Sequence, residues 1–349
     1  MDRQRLLEAV AYGEVIQRED LTDLDLQGAD LSGAVFEQVK LAGQQLRGAD
    51  LTESSLVGCE LWGCDFSEVT LRHTSFVQCD GRNGSFGGAD LTMATFAETD
   101  LTGASFAGVA LPVVTFVKCD LSRASFAGGT LDRTRLLEVD TAGLDLTGAE
   151  LHQATFYQAD FRTAVFDGAR LCQTVLVQSA FGDRDLSGLD LSFCQLADCD
   201  LRGANLSGAR LQNAGFKGAD LRGANLTAVQ ARNGVFQQAK LTAAKLRGGD
   251  FYQAIFAEAD LSGADATEAN LYQGNFYRAH CRGTRFVDAE LTYADFSHAD
   301  IGEADYSGAS LFRARFHQTA EEGAVFTDRS LALGDDEKLA QAEGFQPAH

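Results

Sequence analysis

The sequence has few basic residues, and this deficit argues against several classes of protein. Its 349 residues include 29 Lys and Arg against 50 Asp and Glu, which gives a formal net charge of −21. A chain of this charge repels phosphate backbones and anionic lipid headgroups. We therefore expect neither direct nucleic-acid binding nor electrostatic attachment to a membrane.

Long apolar runs are also missing. No stretch approaches the roughly 18 consecutive apolar residues of a membrane span. The segment from Met1 to Leu7 lacks the apolar run of a secretory signal, so we expect a cytoplasmic protein. Hydrophobic residues nonetheless make up 45% of the chain, which argues against global disorder.

A five-residue repeat runs from Leu21 to Phe326 without insertion or deletion. Every fifth residue is Leu, Phe, Ile or Tyr, with six exceptions: Gly81, Thr141, Ala231, Ala266, Cys281 and Glu321. This period places apolar residues neither on one stripe of an α-helix nor on one face of a straight strand. Each pentapeptide must therefore be a short extended piece followed by a bend. Glycines such as Gly33 suit the bend because they accept a positive φ.

Two features indicate that four pentapeptides make one coil. Phe is concentrated at alternate central positions, and four of the exceptions (Gly81, Thr141, Cys281 and Glu321) are separated by multiples of twenty residues. The repeats then make about 15 coils. The residue two places before each centre is usually small and also points inward, so the residue between them points outward.

The repeats resemble the pentapeptide-repeat family, whose pattern is Ala, Asp or Asn, Leu or Phe, then two variable residues. The run Ala219-Asp220-Leu221-Arg222-Gly223 is followed by Ala224-Asn225-Leu226-Thr227-Ala228 in the same pattern. The resemblance implies an all-β fold, a right-handed quadrilateral parallel β-helix.

Short helical caps are predicted at both ends of this β-helix. We expect an N-terminal cap over 1–15, the repeat over 16–331 and a C-terminal cap or tail over 332–349. The spacing of Leu6, Leu7, Val10 and Ala11 predicts a helix over 3–12. Asp335 or Asp336 is expected to begin a second helix that Gly344 ends. This segment either closes the last coil or pairs two chains into a homodimer.

Residues that carry chemistry do not converge on a site. Six of the eight Cys fall in the small inward slot, Cys281 is central, and only Cys172 is expected to point outward. None of the six His accompanies a nucleophile at a motif spacing. The sequence therefore predicts no enzyme and no catalytic, cofactor or metal site. It leaves open whether the defects at Gly81, Thr141, Cys281 and Glu321 bend the coil.

The outward slot carries most of the negative charge, and its acids are densest along one face. Over 25–325 this slot holds 24 acids and 8 bases. We call the densest column the acidic ladder: Glu60, Asp80, Asp100, Asp120, Asp140, Asp160, Asp200, Asp220, Asp260 and Asp300. Its acids either accept corner hydrogen bonds from backbone N–H groups or offer a surface to a partner with a basic groove. Five arginines lie two residues beyond rungs of this face, where they can neutralise it: Arg82, Arg162, Arg202, Arg222 and Arg282.

A second candidate contact surface is aromatic. Tyr252, Tyr272 and Phe312 share one outward slot, and Tyr277 and Tyr293 lie on nearby outward slots. We call these five residues the aromatic stripe. Exposed aromatic side chains in register are typical of binding surfaces and dimer seams.

The resulting interpretation is a rigid, non-catalytic protein-interaction module or scaffold of bacterial type. The family resemblance implies one alternative, a DNA mimic that binds DNA gyrase or topoisomerase IV and so inhibits the enzyme or protects it from quinolones. It implies a second alternative, an effector or accessory protein of a secretion system. The identity of the partner stays open.

Overall fold

The computed structural model describes residues 1–343 and confirms the predicted fold class. The protein is a parallel β-solenoid of about 16 turns with a short helix near each end. The chain divides into two compact units, Met1–Ala180 and Phe181–His349, which we call the N-terminal and the C-terminal unit. Paired positions on neighbouring coils differ by twenty residues in both units, as Phe76↔Phe96 and Asn205↔Asn225 show. This register confirms four pentapeptides per coil.

The N-terminal unit contains most of the regular strands, each of which is three residues long. Nine strands form one parallel sheet: β1 (Val15–Gln17), β2 (Val35–Glu37), β3 (Ser55–Val57), β4 (Ser75–Val77), β5 (Thr95–Ala97), β6 (Thr115–Val117), β8 (Arg135–Leu137), β10 (Thr155–Tyr157) and β12 (Val175–Val177). Three more form a second sheet: β7 (Thr130–Asp132), β9 (Glu150–His152) and β11 (Arg170–Cys172). In each strand the central residue is buried and its neighbours face outward, which is the expected period of two.

The C-terminal unit is held mainly by single parallel bridges. Among its described residues the two named strands are β13 (Asp305–Tyr306) and β14 (Val325–Phe326), which pair with each other. The bridges fall on the outward slot between the two inward residues, once in each pentapeptide. The backbone between bridges is occupied by turns, because each extended piece is only long enough for one pair of ladder bonds.

Stacked phenylalanines fill much of the core. Phe76 stacks on Phe96 with ring centroids 4.6 Å apart, and Phe86 stacks on Phe106 at 4.5 Å. Rings of the two columns meet edge to face, as Phe86 and Phe96 do at 6.0 Å. Offset stacking within a column and edge contacts across the core are both favourable aromatic geometries. The concentration of Phe at alternate centres therefore corresponds to two facing columns.

Nearly every corner places one residue in the left-handed region of backbone conformation. Gly33 has φ 69°, as the sequence predicts for a bend. The same place in other repeats holds residues with side chains, including the β-branched Val113 at φ 61°. The β-helix therefore imposes this conformation whether or not glycine is present.

Helix α1 (Arg3–Ala11) covers the first coil, as predicted for 3–12. Asp2 caps it by accepting a hydrogen bond from the backbone N–H of Arg5. Leu6, Ala9 and Val10 are buried, whereas Ala11 is exposed. The expectation that Ala11 belongs to the apolar face is wrong, because the helix turns Ala9 toward the coil instead.

Helix α2 (Glu337–Glu343) follows the last repeats. Of the two candidates for its N-cap, Asp336 fills the role: Oδ1 accepts hydrogen bonds from the backbone N–H groups of Lys338 and Leu339. None of its residues is fully buried. Its predicted end at Gly344 lies outside the described residues.

Several polar residues in the small inward slot donate hydrogen bonds to carbonyl groups of the preceding coil. Thr134 donates its hydroxyl to the carbonyl oxygen of Leu111 at 2.6 Å. Cysteines of the same slot do likewise, as Cys64 donates to the carbonyl oxygen of Leu41 at 2.9 Å. All eight cysteines are free thiols, seven are buried and Cys172 is exposed, as predicted. These cysteines therefore act as small packing residues.

Candidate interaction surfaces

The acidic ladder is built into the corners of the coils. Eight of its ten residues are half-buried, and Glu60 and Asp140 are exposed. In each of the nine aspartates, Oδ1 accepts a hydrogen bond of 2.8–3.3 Å from the backbone N–H two residues later. This contact is an Asx turn, in which a short carboxylate satisfies a backbone donor at a bend. The corner hydrogen bond is therefore sufficient to explain why aspartate occupies these positions.

Arginines neutralise part of the ladder. Arg82 pairs with Asp80 at 2.6 Å and also reaches Asp100 at 3.6 Å. Similar pairs of 2.5–2.6 Å join Arg162 to Asp160, Arg202 to Asp200 and Arg222 to Asp220. Arg282 does not follow this pattern, because it pairs with Glu303 at 2.5 Å on a neighbouring coil.

The hydrogen bonds hold these carboxylates in their charged form. The hydrogen bond from the Arg82 side chain lowers the pKa of Asp80, and burial only partly opposes it. Arg162 and Arg222 lower the pKa values of Asp160 and Asp220 in the same way. For Asp120 burial is the largest single influence and raises the pKa, but hydrogen bonds from Ser122 and Thr102 outweigh it together. The lowered pKa values therefore arise chiefly from hydrogen bonding, which favours the ionised form.

Two neighbouring rungs of the N-terminal unit lack a salt bridge to any described residue, although the nearby charge of Arg123 helps to lower the pKa of one of them, Asp120. Asp120 and Asp140 are bridged partners on adjacent coils. Within residues 1–343 no salt bridge joins either carboxylate to a basic side chain. Each Oδ1 is oriented by its corner hydrogen bond, at 2.8 Å from Ser122 and 2.9 Å from Ala142. The corner hydrogen bonds therefore fix the orientation of these two carboxylates at the surface.

Four residues of the aromatic stripe form a continuous row on the C-terminal unit. Tyr252 stacks on Tyr272 with parallel rings 5.4 Å apart. Tyr293 contacts Tyr272 and Phe312 edge to face, each at 5.7 Å. Arg232 lies over the free face of Tyr252 at 4.3 Å, a cation–π contact. Tyr293 and Phe312 remain 40% and 45% exposed, so the row is accessible to a partner.

Tyr277, the fifth residue of the predicted stripe, lies in a different group. Its ring contacts the imidazole of His298 at 5.4 Å, and His298 in turn contacts His317. Glu343 of α2 completes a cluster with these two histidines. Sequence reasoning missed this cluster because Glu343 lies beyond the repeat. The one available signal was the separation of His298 and His317 by nearly one coil.

Comparisons with known proteins identify the repeat in segments between residues 20 and 328. A family model described as a pentapeptide repeat region matches residues 20–106. A second, described as pentapeptide repeats in eight copies, matches six segments: 119–162, 142–178, 185–227, 235–273, 275–308 and 289–328. The comparison with curated proteins found no match. Within residues 1–343, neither helix has the length and hydrophobicity needed to cross a bilayer.

Several solved structures are similar at low identity. HetL, a pentapeptide repeat protein involved in heterocyst differentiation regulation in the cyanobacterium Nostoc sp. strain PCC 7120, is 24% identical with a TM-score of 0.26, covering 95% of this chain and 99% of its own. QnrB1, a plasmid-mediated fluoroquinolone resistance protein, is 18% identical with a TM-score of 0.27, covering 50% and 91%. A protein from the Arabidopsis thaliana thylakoid lumen is 24% identical with a TM-score of 0.23, covering 34% and 68%.

The family assignment rests on the extent of the repeat matches. Together the matched segments span most of the residues between 20 and 328. The structure shows the coil that these repeats require, with a bridge and a left-handed corner in nearly every pentapeptide. The chain belongs to the pentapeptide-repeat family.

Proposed function

We propose that the protein is a non-catalytic interaction module and that the aromatic stripe of the C-terminal unit binds its protein partner. The observation that supports this most directly is the unbroken row from Tyr252 through Tyr272 and Tyr293 to Phe312. Neither matching family model describes a catalytic family. The filled Phe and Leu core supports the same interpretation, since it leaves little space for a substrate inside the coil.

The row has the properties of a binding hot spot. Its rings are held by the rigid backbone of adjacent coils, so little conformational entropy is lost when a partner binds. Tyrosine also combines a large apolar face with a hydroxyl group, and for this reason it is enriched at interfaces. Rigid, exposed aromatic side chains therefore favour binding over a purely structural role.

Arginine is the side chain that we expect the partner to place on this row. Arg232 shows how a guanidinium stacks on Tyr252, while also reaching Asp250 at 3.3 Å. An incoming arginine has the same two types of group available, since Glu290 lies in the neighbouring outward slot. The charge of −21 further favours a basic partner by steering its approach.

The test is affinity capture followed by direct binding. Proteins captured from the source cell's lysate by the full chain are compared with those captured by the Tyr252→Ala/Tyr272→Ala variant. A protein lost with the variant is then purified, and its affinity for both forms is measured. We expect the affinity of the double variant to be at least about tenfold weaker, since truncating one hot-spot residue typically costs about 2 kcal/mol of binding free energy.

Trp62→Ala provides the matched control. Trp62 is 49% exposed and lies on the N-terminal unit, outside the stripe. Its removal should leave the captured partner unchanged. Equal affinity of the partner for the wild type and the double tyrosine variant would reject the stripe as the contact surface.

A second candidate function rests on the acidic ladder. The pre-oriented carboxylates of Asp120 and Asp140 support a DNA mimic that enters the basic DNA-binding groove of gyrase or topoisomerase IV. Loss of the ladder's charge should then weaken binding, because a basic groove recognises the spacing of negative charges.

The experiment measures gyrase supercoiling with increasing amounts of protein. The mimic hypothesis predicts inhibition, or relief of quinolone poisoning, that Asp120→Asn/Asp140→Asn reduces. Asparagine retains the acceptor for the corner N–H, so the coil should remain intact. No effect of the wild type on gyrase or topoisomerase IV at micromolar concentration would exclude this function.

A further inference from the structure

The cluster of His298, His317 and Glu343 has the geometry of a metal site. The Nε2 atoms of His298 and His317 each lie 3.3 Å from a carboxylate oxygen of Glu343. All three ligand atoms lie within 4.8 Å of one another. Ligand atoms around tetrahedral Zn²⁺, with bonds of about 2.0–2.2 Å, are about 3.3–3.6 Å apart. Both nitrogen–oxygen distances are of this length, but they end on different oxygens of Glu343, so a rotation of the carboxylate is needed to bring one oxygen next to both nitrogens.

The backbone holds the two histidines on a rigid platform. His298 donates its backbone N–H to the carbonyl oxygen of His317 at 2.8 Å, so the residues are in register on adjacent coils. His317 is completely buried, whereas the side chain of His298 is 19% exposed. A rotation of the more accessible His298 ring can therefore close the third edge without disturbing the core.

The segment that carries Glu343 is fixed at its other end. Asp335 accepts the backbone N–H of Gln318 at 2.7 Å, and Asp336 caps α2. Oδ1 of Asp335 also lies 3.7 Å from Nδ1 of His317. Histidines that bind metals usually donate their second ring N–H to a carboxylate or carbonyl, and Asp335 has the carboxylate close enough to Nδ1 of His317 to take that role once the metal is bound.

We propose that His298, His317 and Glu343 form a Zn²⁺ site that fastens helix α2 to the last coils of the C-terminal unit. Two imidazoles and one carboxylate favour Zn²⁺ over Ca²⁺ or Mg²⁺, which prefer oxygen ligands. Glu343 is on the solvent side of the cluster, so water fills the fourth position. The role of this site is to attach α2 to the coil. It is independent of the partner-binding function proposed for the aromatic stripe.

Binding requires a shift of one proton within His317. Without metal, the backbone N–H of Asp336 donates to Nδ1 at 3.1 Å, so the neutral ring carries its proton on Nε2 and donates it to Glu343. With Zn²⁺ on the Nε2 lone pair the ring proton resides on Nδ1, the hydrogen bond from the backbone N–H of Asp336 is given up, and Asp335 moves closer to accept the Nδ1 proton. The number of protons on the ring is unchanged. Asp335 is therefore a positioning residue for the metal-bound tautomer.

The test measures Zn²⁺ binding to the untagged full chain by competition with a chromogenic chelator. All proteins carry Cys172→Ser, because the exposed thiol binds zinc by itself. We expect one Zn²⁺ per chain, weakened at least about tenfold by His298→Ala or Glu343→Gln and about tenfold by Asp335→Asn. Both ligand variants change accessible side chains, so the coil keeps its fold. Co²⁺ in place of Zn²⁺ should show the visible absorption of a tetrahedral centre.

His280→Ala is the matched control, since His280 is an exposed histidine of the same unit outside the cluster. It should bind Zn²⁺ as the parent chain does. Absent binding, or binding that both His298→Ala and Glu343→Gln retain, would overturn the site. Trypsin cleavage after Lys338 of α2 tests the attachment: Zn²⁺ should slow it severalfold in the parent and not in Glu343→Gln. Zn²⁺ binding with an unchanged cleavage rate would overturn the fastening of α2.

Discussion

Arg329 donates to both carboxylate oxygens of Glu321 and thereby turns a defect of the repeat into an end cap. Glu321 occupies a central position, where the repeat elsewhere places Leu or Phe. The guanidinium of Arg329 lies 4.8 Å from the ring centre of Phe316 and 5.2 Å from that of Phe326. A paired arginine thus covers the aromatic rings at the end of the coil and keeps a polar group toward solvent.

Breaking this pair should destabilise the C-terminal unit. Arg329→Leu leaves Glu321 partly buried without a cation, and we expect the free energy of unfolding to fall by about 1–3 kcal/mol. The change is measured by urea denaturation at pH 7. An unchanged unfolding midpoint would contradict the capping role.

Replacing both partners should have a different effect. Glu321→Leu/Arg329→Leu restores the apolar pattern and removes the buried charge, so stability should be close to that of the wild type. The exposed apolar end should instead promote self-association, because an uncapped solenoid end exposes apolar side chains and unpaired strand edges. Analytical ultracentrifugation distinguishes the two variants; a strictly monomeric double variant would argue against this account.

Acid should destabilise the protein through the arginine-paired aspartates. Arg82, Arg162 and Arg222 lower the pKa values of Asp80, Asp160 and Asp220. A native pKa below the unfolded value of about 3.9 stabilises the fold above that value, and the stabilisation is lost as pH falls through the native pKa. We expect the melting temperature to decrease as the pH is lowered below about 4. The triple Asp→Asn variant should show a flatter dependence, and an identical profile would contradict the prediction.

Two substitutions at Asp140 can separate the contribution of the corner hydrogen bond to stability from that of the negative charge. Asp140→Ala removes the acceptor for the N–H of Ala142 and should cost about 1 kcal/mol of unfolding free energy. Asp140→Asn keeps that acceptor and should cost much less. Thermal unfolding compares the two. If the Asn variant is as unstable as the Ala variant, charge and not the Asx turn supports this corner.

Val113 should be replaceable with a gain in stability. Its φ of 61° is unfavourable for a β-branched side chain, whereas Asn tolerates this region. Val113→Asn should raise the free energy of unfolding by about 1 kcal/mol. Val117→Asn, in the extended strand β6, is the control and should bring no gain. A lower stability of Val113→Asn would contradict the strain argument.

Thiol labelling should detect one reactive cysteine in the native chain. Cys172 is exposed, and the other seven cysteines are buried. Burial raises the pKa of Cys64 to about 12 and that of Cys119 to about 11, so their thiolate forms are scarce at neutral pH. A chromogenic disulfide reagent should count one thiol when native and eight when unfolded, with none in native Cys172→Ser. Two or more fast thiols would contradict the packing of the slot.

Much of the fold is contained in the order of the residues. A period of five with small, acidic and large apolar residues in fixed places permits only a short strand and a bend, and Phe at alternate centres counts the bends per coil. Local geometry repeats with the sequence, so the buried state of Leu221 or the outward position of Asp220 follows from its place in the repeat.

The contacts between coils were decided by the tertiary structure. Arg222 pairs with Asp220, two residues before it; the equivalent place before Arg282 holds His280, and only the structure shows that Arg282 pairs with Glu303 on a neighbouring coil instead. A long side chain has several charged groups within reach, on its own coil and on the adjacent coils. Its rotamer therefore depends on neighbours one coil away. The segment after Phe326 has no period, so no rule of the repeat predicts that Arg329 covers the end or that Glu343 meets His298 and His317. For this chain the sequence alone therefore determined the coil, and folding in three dimensions decided its surface chemistry.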